Sequence, residues 1–265
     1  MRILPRRRSV MAGKRRRRLR PRRPEERSSM TLLEHLEELR GRLFWIFGSV
    51  GVAAIAGWFA FDRVVELLLR PARPYLKDLT DGKLVFTGPL EAFTLRFKIA
   101  LYVGLLIAFP IVLFNVWRFI SPGLRKKERK YALPFIGSGF ILFGGGVFFA
   151  WLTLPQALRW LIGPEITGTN VSPLLGAKNY LDFALLYHVA FGLAFEMPVV
   201  LMLLALMGVV GSHQMARHRR HVFLGIAVAS AVLTPSVDWF TMIALTLAMY
   251  VLFEMCIWLS RLLRR

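Results

Sequence analysis

One cysteine, Cys256, occurs in the 265 residues, which rules out an intramolecular disulfide and says nothing about redox compartment. Acidic side chains are scarce, 16 Asp and Glu against 36 Lys and Arg. A Gly-rich phosphate loop is missing, so direct nucleotide use is not expected. The Gly-x-Gly-Asp setting of an intramembrane aspartyl protease is missing as well, and Ser138 and His188 are not joined into a nucleophile and base by any motif. His213, His218 and His221 are spaced by five and three, a poor arrangement for a metal site on one helix, and read as solvated basic residues. No internal repeat of the kind common in secondary transporters is found. The expectation is therefore a protein that is not an enzyme and holds no metal or cofactor.

Long polar stretches are also few. Hydrophobic residues make up 55% of the chain and mean hydropathy is +0.50, outside the range of soluble domains. Several apolar runs reach 18 residues or more, the length that spans a bilayer as a helix. The formal charge of +20 resembles that of a nucleic-acid binder, but 13 Lys and Arg against Glu25 and Glu26 lie before Ser29. That charge belongs to a tail over residues 1–30, rich in Arg and Pro, expected to be disordered, cytoplasmic and attracted to anionic lipid, with no nucleic-acid partner.

After the tail, Leu32, Leu36, Leu39 and Leu43 share a helical stripe, predicting an interfacial helix that leads into the membrane. Six spans are predicted over 43–61, 93–116, 131–154, 183–207, 222–233 and 237–259, in a membrane domain covering 31–260 and followed by a basic end at 261–265. The last two form a short hairpin, since 222–233 covers only about 18 Å as a helix. Between the first two spans an amphipathic outer helix ends at Pro71. Arg96 and Lys98, near the outer end of the second span, are placed to snorkel. Gly137, Gly139, Gly144, Gly145 and Gly146 allow close helix approach in the third. Lys and Arg number 15 from Arg2 to Arg42, 6 from Trp117 to Lys130 and 3 from Gly208 to His221, against 5, 2 and none in the outer loops. Both termini are therefore expected in the cytoplasm. The fold class is all-α and polytopic.

Acids in unusual places are the candidate functional residues. Glu196, followed by Pro198, sits in the middle of the fourth span, where insertion scales charge about 2.5 to 3.5 kcal/mol for an ionised residue such as Asp. It is expected to face protein or trapped water. Pro198 cannot donate to the carbonyl of Ala194, which predicts a kink beside it. Glu38 and Glu128 are acids in a basic cytoplasmic setting, either neutralised locally, by Arg42 and Arg125, or available to a cationic ligand. Two separated carboxylates suit two guanidiniums, because Arg makes bidentate, charge-assisted bonds. A proton-coupled small-solute carrier using Glu196 as its relay, and a purely structural scaffold, are the competing readings.

At these residues the sequence resembles the TatC family, the multispanning subunit of the twin-arginine, Sec-independent protein translocase. His35-Leu36-Glu37-Glu38-Leu39-Arg40-Gly41-Arg42 fits the family's amino-terminal motif. Phe119-Ile120-Ser121-Pro122-Gly123-Leu124, with Glu128-Arg129, fits its first cytoplasmic loop. Phe195-Glu196-Met197-Pro198 resembles the fourth-helix motif, and Leu233-Thr234-Pro235 with Asp238 and Leu252-Phe253-Glu254 fits the last hairpin. Met242 and Phe253 depart from it, standing where the family often has Gln and Tyr. The resemblance implies binding of twin-arginine signal peptides of folded cargo, TatA-like and TatB-like single-span partners, several copies per complex, and transport driven by the proton-motive force in a bacterial or archaeal plasma membrane. It implies that Glu38 and Glu128 hold the signal arginines, that Arg40 and Phe119 shape that patch, that Glu196 is the intramembrane polar site, and that Pro71 and Asp238 act on the outer side.

Overall fold

A backbone segment in hydrocarbon has no water to satisfy its amides, so apolar runs of this length become helices. The computed structural model describes residues 32–74, 85–86, 88–121, 131–162, 176–235 and 238–263. The basic tail and Glu128 lie outside them. The chain divides into Met1–Glu37 and Glu38–Arg265, and all the packing that positions the candidate site lies in the second unit.

Among the described residues the helices are α1 (Leu32–Phe59), α2 (Phe61–Leu69), α3 (Pro89–Ile120), α4 (Ala132–Ile162), α5 (Ala177–Ala194), α6 (Met197–Leu206), α7 (Ser212–Arg217), α8 (Arg219–Leu233) and α9 (Trp239–Leu263). Five stretches are long and apolar enough to cross a membrane: Leu36–Phe59, Pro89–Ile120, Ala132–Ile162, Ala177–Leu206 and Trp239–Leu262. The fifth predicted span, α8, is not among them; it has 15 residues, about 22 Å, and remains short. Its partner α9, at 25 residues, is long enough to cross, so only the first of the two last spans is short. The stretch predicted as an interfacial helix leading into the membrane runs directly into the first span. With no proline or other break between Leu32 and Phe59, the amphipathic stretch and the first span form one continuous helix.

Glycines set the helix seams. A Cβ on Gly57 of α1 would stand 2.6 Å from the carbonyl of Ala100, and one on Gly104 of α3 would stand 2.7 Å from that of Val50, so α1 and α3 cross backbone to backbone. The most extensive pairing joins α4 to α5. There a Cβ on Gly146 would lie 2.5 Å from the carbonyl of Phe191, while the Phe143 ring fills the space over Gly192. Of the expected glycine stripe on α4, Gly139 and Gly146 meet neighbours and Gly137, Gly144 and Gly145 face open space. The main core gathers Tyr187, Phe191, Leu154, Leu181, Leu245, Phe253 and Ile257 from α4, α5 and α9.

The fourth span breaks where Pro198 predicts. Helix α5 ends at Ala194, Phe195 and Glu196 turn, and α6 restarts with Pro198 in its first turn. Helix α6 ends at Leu206 and is closed by Gly208, whose φ of 76° is the left-handed value glycine adopts freely. The amides of Gly208 and Val209 then reach back to the carbonyls of Ala205 and Leu204 at 3.2 and 3.0 Å, the pairing that closes a helix on a glycine.

Candidate functional site

Glu38 and Arg42 lie four residues apart at the start of α1, with the acid nearer the N-terminus, the favourable order. Oε1 of Glu38 pairs with Nη2 of Arg42. Arg42 is 8% exposed, and its guanidinium lies over the Phe119 ring of α3 at 5.5 Å. The pair is incomplete, since Oε2 of Glu38 and Nη1 of Arg42 are shielded and have no hydrogen-bond partner among the described residues. Arg40, on the exposed side, lies over Phe44 at 5.7 Å. The structure thus brings Glu38, Arg42 and Phe119 together at one end of the bundle, with Arg42 rather than Arg40 as the guanidinium stacked on Phe119. Glu128, the other half of the predicted pair, falls outside the described residues.

Nearer the middle of the bundle, Glu196 occupies the break between α5 and α6. Its Oε2 would lie 3.1 Å from a Cβ on Gly139 of α4, and the same position meets Leu113 of α3 at 2.8 Å. Oε1 is buried with no hydrogen-bond partner among the described residues. The carboxylate therefore faces a protein seam between α3, α4 and the helix break, and the missing side chain of Gly139 makes room for it. The carbonyl of Pro198 receives the Cys256 thiol of α9 at 3.8 Å, tying the break to the last helix.

At the end opposite Glu38, Pro71 is buried in a 3₁₀ turn after α2. Lacking an N–H, it cannot donate to the carbonyl of Leu67, and the indole of Trp151 on α4 donates there instead at 3.4 Å. The neighbouring Leu68 carbonyl receives the Tyr180 hydroxyl of α5 at 2.5 Å. Asp238 caps α9, its Oδ1 accepting the Thr241 amide at 2.7 Å and its Oδ2 the Thr241 hydroxyl at 2.6 Å. Both predicted outer residues thus end or begin helices.

Two ion pairs escape sequence reasoning. Lys98 does not snorkel, because its Nζ meets Asp182 of α5 at 2.7 Å. Arg96 likewise stays against protein, over Trp58 at 4.9 Å and Phe61 at 5.2 Å. At the other end Arg219 pairs with Glu254 at 2.8 Å, and Glu254 also accepts the Tyr250 hydroxyl at 3.0 Å. The partners stand 84 and 35 residues apart, beyond any local pattern; the only signal is charge inside an apolar run. Among the described residues no three His, Cys, Asp or Glu side chains gather as a metal site.

Long apolar helices whose interior acids Asp182, Glu196 and Glu254 are paired or lodged in a helix seam define a polytopic integral membrane protein. Residues 34–247 match the family described as Sec-independent protein translocase protein (TatC). The Sec-independent protein translocase protein TatC of Koribacter versatilis is 38% identical over 88% of this chain and 86% of its own length. That of Aquifex aeolicus is 35% identical over 89% and 97%. A crystal structure of the twin-arginine translocase receptor TatC in DDM superimposes with a TM-score of 0.73 at 33% identity, covering 86% of this chain and 99% of that one. The chain belongs to the TatC family. Membership places it among protein-transport components rather than enzymes, and sets aside the small-solute carrier.

Proposed function

We propose that this chain is the receptor subunit of a twin-arginine translocase, binding the paired arginines of export signals at the cytoplasmic end of α1 and α3. The observation that carries the reading is that Glu38, an acid in a basic region, and the aromatic face of Phe119 both meet one guanidinium, that of Arg42. A carboxylate accepts a guanidinium through two parallel bonds, and a ring face stacks on its plane, which an ammonium cannot match. Glu128 supplies the second carboxylate and Arg40 borders the patch. Glu196 gives the interior a polar seam on which a partner helix or the apolar segment of the signal docks. TatA-like and TatB-like single-span proteins complete the complex, several copies assemble, and the proton-motive force drives export of folded cargo. The protein lies in a bacterial or archaeal plasma membrane with both termini cytoplasmic, as the Lys and Arg counts support.

Site-specific photocrosslinking in native membranes tests this reading, with probes beside Glu38 and Glu128 and an Arg-Arg to Lys-Lys signal as control. Crosslinks lost with the Lys pair, and lost again in normally inserted Glu38→Ala or Glu128→Ala protein, are expected. Equal crosslinking of both signals would return these acids to local salt bridges. For Glu196, reduced export or complex assembly in Glu196→Ala is expected, and unchanged levels of both would remove its docking role.

A further inference from the structure

We propose that Arg42 is a resident occupant of the signal site, holding the Glu38 carboxylate in the empty receptor and giving it up to an incoming arginine. The inference rests on the reading of Glu38 as a signal contact. Arg42 already has the two things a signal guanidinium needs, a carboxylate oxygen and the face of Phe119 at 5.5 Å. It is held in a half-made way. One nitrogen meets one oxygen, while Nη1 of Arg42 and Oε2 of Glu38 are shielded and have no hydrogen-bond partner among the described residues. A shielded charge with an unused donor or acceptor is a poor resting arrangement. A second guanidinium approaching in the fork-to-fork geometry satisfies both carboxylate oxygens at once. The exchange asks of Arg42 a change of side-chain rotamer, the move open to a long side chain one helical turn from Glu38.

The consequence is a reduced apparent affinity. A ligand for a site whose open form is a fraction of the population binds more weakly by that fraction. If the closed pair holds about nine receptors in ten, every ligand for Glu38 loses about tenfold. Arginine and lysine signals are affected equally, so Arg42 sets the threshold for binding while the shape of the Glu38 site sets the preference.

The test is direct binding of a fluorescent twin-arginine signal peptide, with a twin-lysine peptide alongside, to the full chain in nanodiscs. Arg42→Gln is expected to tighten binding of the arginine peptide by about three- to tenfold and to leave the ratio between the two peptides unchanged. Arg42→Lys keeps the charge but loses the planar fork, so it is expected to tighten binding by a smaller factor. That gain separates exchange from simple relief of like-charge repulsion, and it carries the test if the Gln variant inserts poorly. Unchanged or weaker binding in Arg42→Lys, while Glu38→Gln weakens binding, would overturn the exchange and make Arg42 a group that merely positions Glu38. Unchanged binding in Glu38→Gln would instead remove the receptor reading itself, and this inference with it.

Discussion

At the residue scale, Asp238 shows how a polar group at a membrane boundary is used. It precedes the first turn of α9, where backbone amides have no intrahelical acceptor, and it takes both the amide and the hydroxyl of Thr241. Asp238→Ala is expected to lower stability by about 0.5 to 2 kcal/mol, and Asp238→Asn or Asp238→Ser to restore most of the loss, since all three caps accept that amide. Thermal unfolding in detergent reads this; equal losses in all three variants would mean that the charge matters and the cap does not. Lys98 and Asp182 make a different case. Each is partly exposed, so the pair itself contributes no more than about 1 kcal/mol. Neutralising one leaves an unmatched charge in an apolar helix bundle, which costs more than losing both. Lys98→Met and Asp182→Asn are therefore each expected to destabilise more than the double variant, in the same unfolding assay. Additive losses would show two independent residues.

At the element scale, the α4 glycines separate into two classes that composition does not distinguish. Gly146→Val puts side-chain atoms where the Phe191 carbonyl already stands, 2.5 Å from the Cβ position, so α4 and α5 must part. Gly145→Ala meets nothing within 4 Å and gains the helix preference of alanine over glycine, about 1 kcal/mol in an exposed site. The expected outcome is a large fall in unfolding temperature for the first and no fall for the second; similar falls would show that both faces pack. The positions of the long helices were legible in the sequence because bilayer thickness fixes their length, and the break at Glu196 because proline forbids a bond. The continuity of α1 was not, since a change from amphipathic to apolar pattern carries no helix stop. The stripe of glycines announced close approach but not which members approach, because that depends on how α4 is rotated against α5. At the candidate site the unusual acids were legible, and the Glu38 to Arg42 spacing too. The stacking of Arg42 on Phe119 was not, because it joins α1 to the far end of α3.

At the scale of the whole molecule, the short helix α8, if it crosses as the sequence predicts, is the feature that the bilayer would have to accommodate. Its 15 residues give about 22 Å of helix against a hydrocarbon core of about 30 Å. It is fastened to α9 at its start. Arg219 pairs with Glu254 at its start, and at its close the buried Thr234 bonds back to the Ser230 carbonyl at 2.9 Å, just before Asp238 opens α9. Along its length Ser230 and Ile226 are buried while Val228 and Val232 are exposed. Tilting would shorten its reach further, so as a span α8 would require the lipid to thin locally on that side. A mismatch of about 8 Å at a fraction of a kcal/mol per Å amounts to a few kcal/mol. The full chain reconstituted in phosphatidylcholine bilayers of increasing acyl length is therefore expected to unfold at progressively lower temperature once the core exceeds about 25 Å. Extending α8 by one helical turn should move the optimum toward thicker bilayers by about 5 Å. An unfolding temperature indifferent to thickness, in both proteins, would mean that α8 lies shielded from lipid by the rest of the complex or does not cross the membrane.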